Sequence, residues 1–266
     1  MSLHVLEVGE AGPRVVFLHG LFGQGRNFLQ IAKALTPDLR SVLVDLPDHG
    51  RSPWTDEVTY PAMADAVAET LRERYPGEQP MHVVGHSMGG KVAMLLALQH
   101  PELVDRLVVV DISPAESEGA GEFVHLLDSL AGLDLAALSR RSEADAALAG
   151  AIPDDRVRAF LLQNLRSSNQ GFSWQANLSL LRRDLATIGG FPALEGRFDH
   201  PVLWIAGERS AYVQEEHAAD MRRLFPRTTS VTIKGAGHWV HSEQPEAFVS
   251  ALRVFLASDR RGRTEH

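Results

Sequence analysis

This sequence predicts an α/β protein with a mostly parallel sheet, helices on both faces and a helical insertion. Three observations carry the prediction. Short apolar runs alternate with amphipathic stretches from residue 14 to residue 112, a rhythm that demands a parallel sheet covered on both sides. The rhythm breaks over residues 115–199 and resumes from residue 200. The chemically suggestive residues His19, Asp48, Ser87 and Asp111 each follow an apolar run, at the carboxyl edge where such sheets place their sites.

Taken in order, Leu3–Val8 alternates and reads as a first strand. Arg14–Leu18 is a continuous apolar run, hence a strand buried on both faces. Phe28–Leu35 has helical spacing and ends before Pro37. Ser41–Leu46 is another buried strand, followed by Pro47-Asp48-His49-Gly50-Arg51-Ser52. Tyr60–Tyr75 is an amphipathic helix with Met63, Val67 and Leu71 on one face. Met81–Val84 is a strand, Lys91–His100 a helix stopped by Pro101, and Leu107–Val110 the next strand. Residues 115–199 show no convincing strand and are read as a helical layer, with Phe123, Leu126, Leu127 and Leu130 at helical spacing. Pro201–Ala206 and Thr228–Ile233 are the last strands; Glu215–Leu224 and Pro245–Leu256 are the last helices. The expected organisation is a core over residues 1–114 and 200–257, a helical cap over 115–199, and a flexible polar tail over 258–266.

The composition bounds the function. The 266 residues suffice for one large domain with an insertion, and 44% hydrophobic with 23% charged residues describes an ordinary soluble protein. A formal charge of −8 without a concentrated basic surface argues against nucleic acid as partner. With no cysteine, disulfides, a thiol nucleophile and thiolate metal sites are excluded. No apolar run reaches bilayer length, and residues 1–9 read as the start of a mature strand; a cytoplasmic protein, monomer or homodimer, is expected.

The chemistry centres on Gly85-His86-Ser87-Met88-Gly89. A serine between glycines, strand before and helix after, fits a nucleophile elbow: a strained turn that lifts the hydroxyl above the sheet, with glycine wherever a Cβ would crowd neighbouring backbone. A serine hydroxyl needs a base, and the base needs an acid to fix its tautomer. His238, in a glycine-rich loop after the last strand, is the expected base, with His241 as fallback. His19 and His86 sit inside turn motifs, where structural hydrogen bonds are their expected work. For the acid, the loop after Pro201–Ala206 reads Gly207-Glu208-Arg209-Ser210, with serine where aspartate is expected. Asp111, at the end of the strand after the elbow unit, is favoured, and Glu208 is the alternative acid. The backbone N–H groups of Met88 and Leu21 are the expected oxyanion donors. Phe22, Trp174, Tyr212 and Trp239 are expected to line the substrate pocket, with Phe160 and Phe172 as further aromatics. Lys91 is read as a surface ion pair. No metal-ligand spacing or dinucleotide fingerprint is visible, so neither metal nor cofactor is expected.

The motifs His19-Gly20-Leu21-Phe22-Gly23, Asp48-His49-Gly50-Arg51-Ser52, Gly85 to Lys91 and Gly235-Ala236-Gly237-His238 together resemble the α/β-hydrolase superfamily. More narrowly, Gly-His-Ser-Met-Gly-Gly-Lys, Val110-Asp111-Ile112-Ser113-Pro114 and Gly237-His238-Trp239-Val240-His241 resemble the small serine esterase group that includes bacterial YbfF and the mitochondrial ABHD eleven subfamily. The resemblance implies a carboxylesterase or thioesterase acting on small acyl substrates. It also implies an acid after the sixth strand of the fold, here Asp111, with the cap inserted behind it. A carbon–carbon bond hydrolase or an acyltransferase could use the same residues, and a non-catalytic ligand receptor is the expectation from another class.

Overall fold

The computed structural model describes residues 1–78, 80–116 and 120–257; the expected tail at 258–266 lies outside them. Seven strands form one sheet: β1 (Val5–Val8), β2 (Arg14–Leu18), β3 (Arg40–Val44), β4 (Met81–His86), β5 (Val104–Val110), and, beyond the insertion, β8 (Val202–Gly207) and β9 (Thr228–Ile233). Their spatial order is β1-β3-β2-β4-β5-β8-β9. Only β1 runs antiparallel, against β3; the other six are parallel. The strand counted sixth from the resemblance is the fifth to form along this chain.

Register aligns the functional edge. Leu18 pairs with Gly85, His86 with Val110 and Val110 with Ile205, so β2, β4, β5 and β8 end side by side and their following loops share one rim. Period-two alternation then sorts the apolar side chains. On β5, Leu107 and Val109 enter one core while Val108 and Val110 enter the other. The first core takes α2 (Tyr60–Arg74) and α3 (Met88–Gln99). The second takes α1 (Leu29–Leu35) and α11 (Pro245–Ala257), through Ile31, Leu35, Phe248 and Leu252. Thr59 starts α2 by accepting the Ala62 N–H, and Met63, Val67 and Leu71 are buried as their spacing predicts.

Between β5 and β8 lie α4 (Ala120–Ala131), α5 (Arg141–Leu148), α6 (Asp155–Leu162), α7 (Leu178–Arg183) and α8 (Leu185–Gly189). Contrary to expectation the segment also holds strands: β6 (Leu165–Ser168) and β7 (Gly171–Trp174) form an antiparallel hairpin. Its strands are four residues each and largely exposed, so they carry no apolar run that a sequence pattern could register. Phe172 and Trp174 pack from this hairpin against the first core. After β8 come α9 (Ala218–Leu224) and, after β9, α10 (Val240–Glu243). Among the described residues no helix is long and apolar enough to cross a membrane.

Lys91 is a second correction. It is 1% exposed, not at the surface, and its Nζ donates to the carbonyls of Gly189 (2.6 Å) and Gly190 (2.8 Å) at the end of α8. The side chain threads from α3 to the insertion because α3 is buried along its whole first turn.

Candidate active site

The elbow is built as its glycines require. Ser87 has φ 53° and ψ −121°, and α3 starts at the next residue. A Cβ on Gly85 would meet Gly89 O at 2.2 Å, and one on Gly89 would meet Leu18 O and His19 O at 2.4 Å. Strand, turn and helix could not approach this closely with side chains at those positions.

Three side chains converge from three loops. Ser87 Oγ lies 2.9 Å from His238 Nε2, and His238 Nδ1 lies 2.7 Å from Asp111 Oδ2. An ionised Asp111 accepts from Nδ1–H, which leaves Nε2 as the acceptor facing the serine hydroxyl. Asp111 is fully buried, more than the half-buried environment its flanking apolar run suggests. Its charge is compensated by three donors: the Gly207 N–H to Oδ1 (2.9 Å), and the Ser210 hydroxyl (2.5 Å) and His238 Nδ1 to Oδ2. The serine that stands where an aspartate was expected thus supports the carboxylate at Asp111. Glu208, the alternative, turns away from this group; its Oε2 accepts the Gly235 N–H at 2.8 Å.

Around His238 the walls are aromatic. Tyr212 stacks on its ring with centroids 4.1 Å apart, Trp239 meets it edge-on at 5.9 Å, and His86 lies beneath at 4.8 Å. His86 Nε2 donates to the His238 carbonyl at 2.8 Å, so this histidine does the structural work expected of a turn residue. Burial pushes the His86 pKa well below the ordinary histidine value, aided by repulsion from His241 and His238. His241 packs between Phe28 and His86, and burial together with His238 lowers its pKa to about 4. His19 is locked in the same way: Nδ1 donates to Gly20 O, Nε2 accepts the Leu46 N–H, and burial foremost, then His49, brings its pKa to about 3. His238 is therefore the one ring of this cluster bonded to both a carboxylate and a hydroxyl.

The loop after β2 lies against the serine; a Cβ on Gly20 would be 3.2 Å from Ser87 Cβ. Among the described residues neither the Leu21 nor the Met88 N–H is engaged by an acceptor. A cavity of about 110 Å³ opens between this loop, Ser87, His238 and the insertion. Of the expected pocket residues, Phe22, Tyr212 and Trp239 line it, as does Phe160. Trp174 and Phe172 do not; the hairpin packs them, half-buried, against the first core instead. Phe123, Leu126, Val157 and Leu161 complete the apolar wall from α4 and α6. The helical spacing of Phe123 and Leu126 was visible in sequence; which helix face would meet the serine was not. No group of His, Asp or Glu among the described residues could hold a metal ion.

Among the described residues four non-glycine residues have positive φ: Phe22 (63°), Asp48 (64°), Ser87 (53°) and Asp111 (52°). All four stand at loops following parallel strands, where local strain is held in place by the surrounding fold.

Comparison with known proteins places this arrangement. The family model described as "alpha/beta hydrolase fold" matches residues 13–245. The chain belongs to the α/β-hydrolase fold family. It is 39% identical to the mouse (Mus musculus) sn-1-specific diacylglycerol lipase ABHD11, over 97% of this chain and 85% of that protein. It is 32% identical to the Escherichia coli esterase YbfF, over 91% of this chain and 92% of the relative. A solved structure of a marine microorganism esterase superposes with a TM-score of 0.91 at 30% identity, covering 96% of this chain and 99% of that one. The resemblance drawn from the motifs is thus met, and the expectation of an esterase-type enzyme stands with it.

Proposed function

We propose that this chain is a serine hydrolase of carboxylic esters or thioesters, working through an acyl-enzyme. The observation that carries the reading is the continuous relay Ser87 Oγ to His238 Nε2 at 2.9 Å and His238 Nδ1 to Asp111 Oδ2 at 2.7 Å. In this mechanism Ser87 Oγ attacks the acyl carbonyl while its proton passes to His238 Nε2. Asp111 stabilises the imidazolium, holding the ring through Nδ1, and keeps its own negative charge. The N–H groups of Leu21 and Met88 receive the oxyanion, the latter at the start of α3, where the helix dipole favours negative charge. The imidazolium then protonates the leaving alcohol or thiol. Water, deprotonated by the neutral His238, attacks the acyl carbon, and collapse returns the proton to Ser87 as the acid leaves.

The acyl group belongs in the cavity walled by Phe22, Phe123, Leu126, Val157, Phe160 and Leu161. An apolar protein cavity of about 150 Å³ accepts benzene. The volume here, about 110 Å³, suits an acyl chain of roughly four carbons by that comparison. Acylglycerols are among the esters to test, given the name of the mouse relative. The deciding experiment measures p-nitrophenyl ester hydrolysis and fluorophosphonate labelling for the wild type and Ser87→Ala. Expected are labelling at Ser87, a kcat loss of about 10⁵-fold or more on substitution, and best turnover on short acyl chains. Undiminished turnover in Ser87→Ala overturns the mechanism.

A further inference from the structure

We propose that Asn164 and Asn177, both in the insertion, are positioning residues that hold the oxyanion loop, so that the helical cap completes the anion site rather than only roofing the pocket. This rests on the hydrolase reading above. It gives work to Asp48-His49, a motif the mechanism leaves without a role.

The N–H of Leu21 shares a plane with the carbonyl of Gly20, so whatever fixes that carbonyl aims the N–H. Gly20 O accepts the His19 Nδ1–H at 2.8 Å and the Gly23 N–H at 2.9 Å. The Gly23 N–H in turn shares a plane with the Phe22 carbonyl, and that carbonyl accepts Asn164 Nδ2 at 2.7 Å. Asn164 thus reaches the Leu21 donor through two rigid planes. A second limb holds the other side of Phe22. Its N–H donates to His49 Nε2 at 3.3 Å, and His49 is fixed in that tautomer by donating Nδ1–H to Pro47 O at 2.9 Å. The preceding residue, Asp48, is gripped by Asn177: backbone N–H to Asp48 O at 2.9 Å and Nδ2 to Asp48 Oδ1 at 2.9 Å.

Such a grip is needed because Phe22 and Asp48 both sit at positive φ, a conformation an aromatic residue takes only when its surroundings impose it. Asn164 itself is fully buried. Its Nδ2 also donates to Leu161 O at 3.2 Å, while its Oδ1 is buried without a partner among the described residues. Gln163, the residue before it, ties the insertion to the turn that follows the loop by accepting Asn27 Nδ2 at 2.7 Å.

The oxyanion exists only after attack, so loosening its donor slows turnover and spares ground-state binding. The test compares Asn164→Ala and Asn177→Ala with the wild type, with rates expressed per active site titrated to completion by a fluorophosphonate. Wild-type turnover abolished by Ser87→Ala is the baseline, so a failure of the hydrolase reading shows there and not in the asparagine comparison. Removing an oxyanion donor outright costs about 10²–10³ in kcat; misaiming it through Asn164→Ala is expected to cost about 10- to 100-fold, with KM within about threefold. The inhibition constant of a trifluoromethyl ketone, which forms a tetrahedral adduct at Ser87, is expected to rise in proportion to the loss of kcat/KM. The Kd of the intact ester, measured in a Ser87→Ala background, stays unchanged. Wild-type kcat per titrated site overturns the proposal. So does a loss confined to KM, or a kcat loss without weaker binding of the ketone. Should Asn164→Ala yield no titratable sites, Asn177→Ala decides by the same readouts from the other limb.

Discussion

Asp111, the proposed acid, shows how the place of a single residue can be legible in sequence while its support is not. Chain position and the apolar run before it were legible, because a strand end at the carboxyl edge is set by the alternation of elements. That Ser210 would bond Asp111 Oδ2 was not legible, since the contact joins loops 99 positions apart. The chemistry separates the candidates. Asp111→Asn keeps a side chain of the same shape, but its amide favours the wrong tautomer of His238, and kcat is expected to fall by about 10⁴-fold. Ser210→Ala removes one of three donors to the buried carboxylate. A hydrogen bond to a charged group contributes about 1.5–3 kcal/mol, so a loss of roughly tenfold or somewhat more is expected, with KM little changed. Glu208→Gln keeps the loop and is expected to leave kcat within about threefold. Steady-state kinetics on the three variants checks all of this, and a large loss in Glu208→Gln alone would reverse the assignment of the acid.

At the scale of elements, the seam between α3 and the end of α8 turns on Lys91. Lysine is normally read as solvated, and nothing in Gly89-Gly90-Lys91 announces burial; the Gly189 and Gly190 carbonyls and the Tyr60 ring take up its buried ammonium. In the same way the β6–β7 hairpin escaped the sequence reading because its strands present exposed polar faces, whereas α2 was legible from the spacing of Met63, Val67 and Leu71. Burial, opposed in part by the Glu116 charge, lowers the Lys91 pKa to about 7. In the unfolded chain the ordinary value is about 10.4. Between these values the unfolded state binds the extra proton, so stability rises with pH from about 7 to 10 and is lost as pH falls back toward 7. One proton corresponds to at most about 1.4 kcal/mol per pH unit. Lys91→Met removes the ionisation and keeps most of the apolar stem. Urea unfolding of both proteins from pH 7 to 10 is expected to show the wild-type midpoint climbing relative to the variant. Parallel curves would show that Lys91 stays protonated in its bonds to the Gly189 and Gly190 carbonyls.

For the whole molecule, the parallel sheet decides where chemistry can occur, and it does so at a cost in buried polar groups. The succession of strands and the edge at which their loops gather could be read from the sequence, because strands buried on both faces are continuous apolar runs; their order across the sheet could not. The turn motifs announced the structural hydrogen bonds of His19 and His86, but the burial of His49, His82 and His241 was not legible, since the same residue type serves as loop tie, packing wall and candidate base. Five of them, His19, His49, His82, His86 and His241, have pKa values lowered with burial as the leading cause, to about 3 for His19 and about 4 for His82 and His241. Each is neutral in the folded protein at a pH where the unfolded chain, with histidine near 6.5, is already protonated. Lowered folded values mean that stability is fully present above about pH 6.5 and is lost as pH falls toward the folded values. The groups act in the same direction, so unfolding near pH 5 is expected to take up several protons, and the urea midpoint should drop between pH 6.5 and 5. His82 sits on β4 away from Ser87, beside Asp105. His82→Gln is expected to lower the uptake by about one proton and to leave kcat within about twofold. Proton uptake of one or less in the wild type, from the slope of unfolding free energy against pH, would mean that the buried rings accept protons in place and that the polar interior is more open to water than its packing indicates.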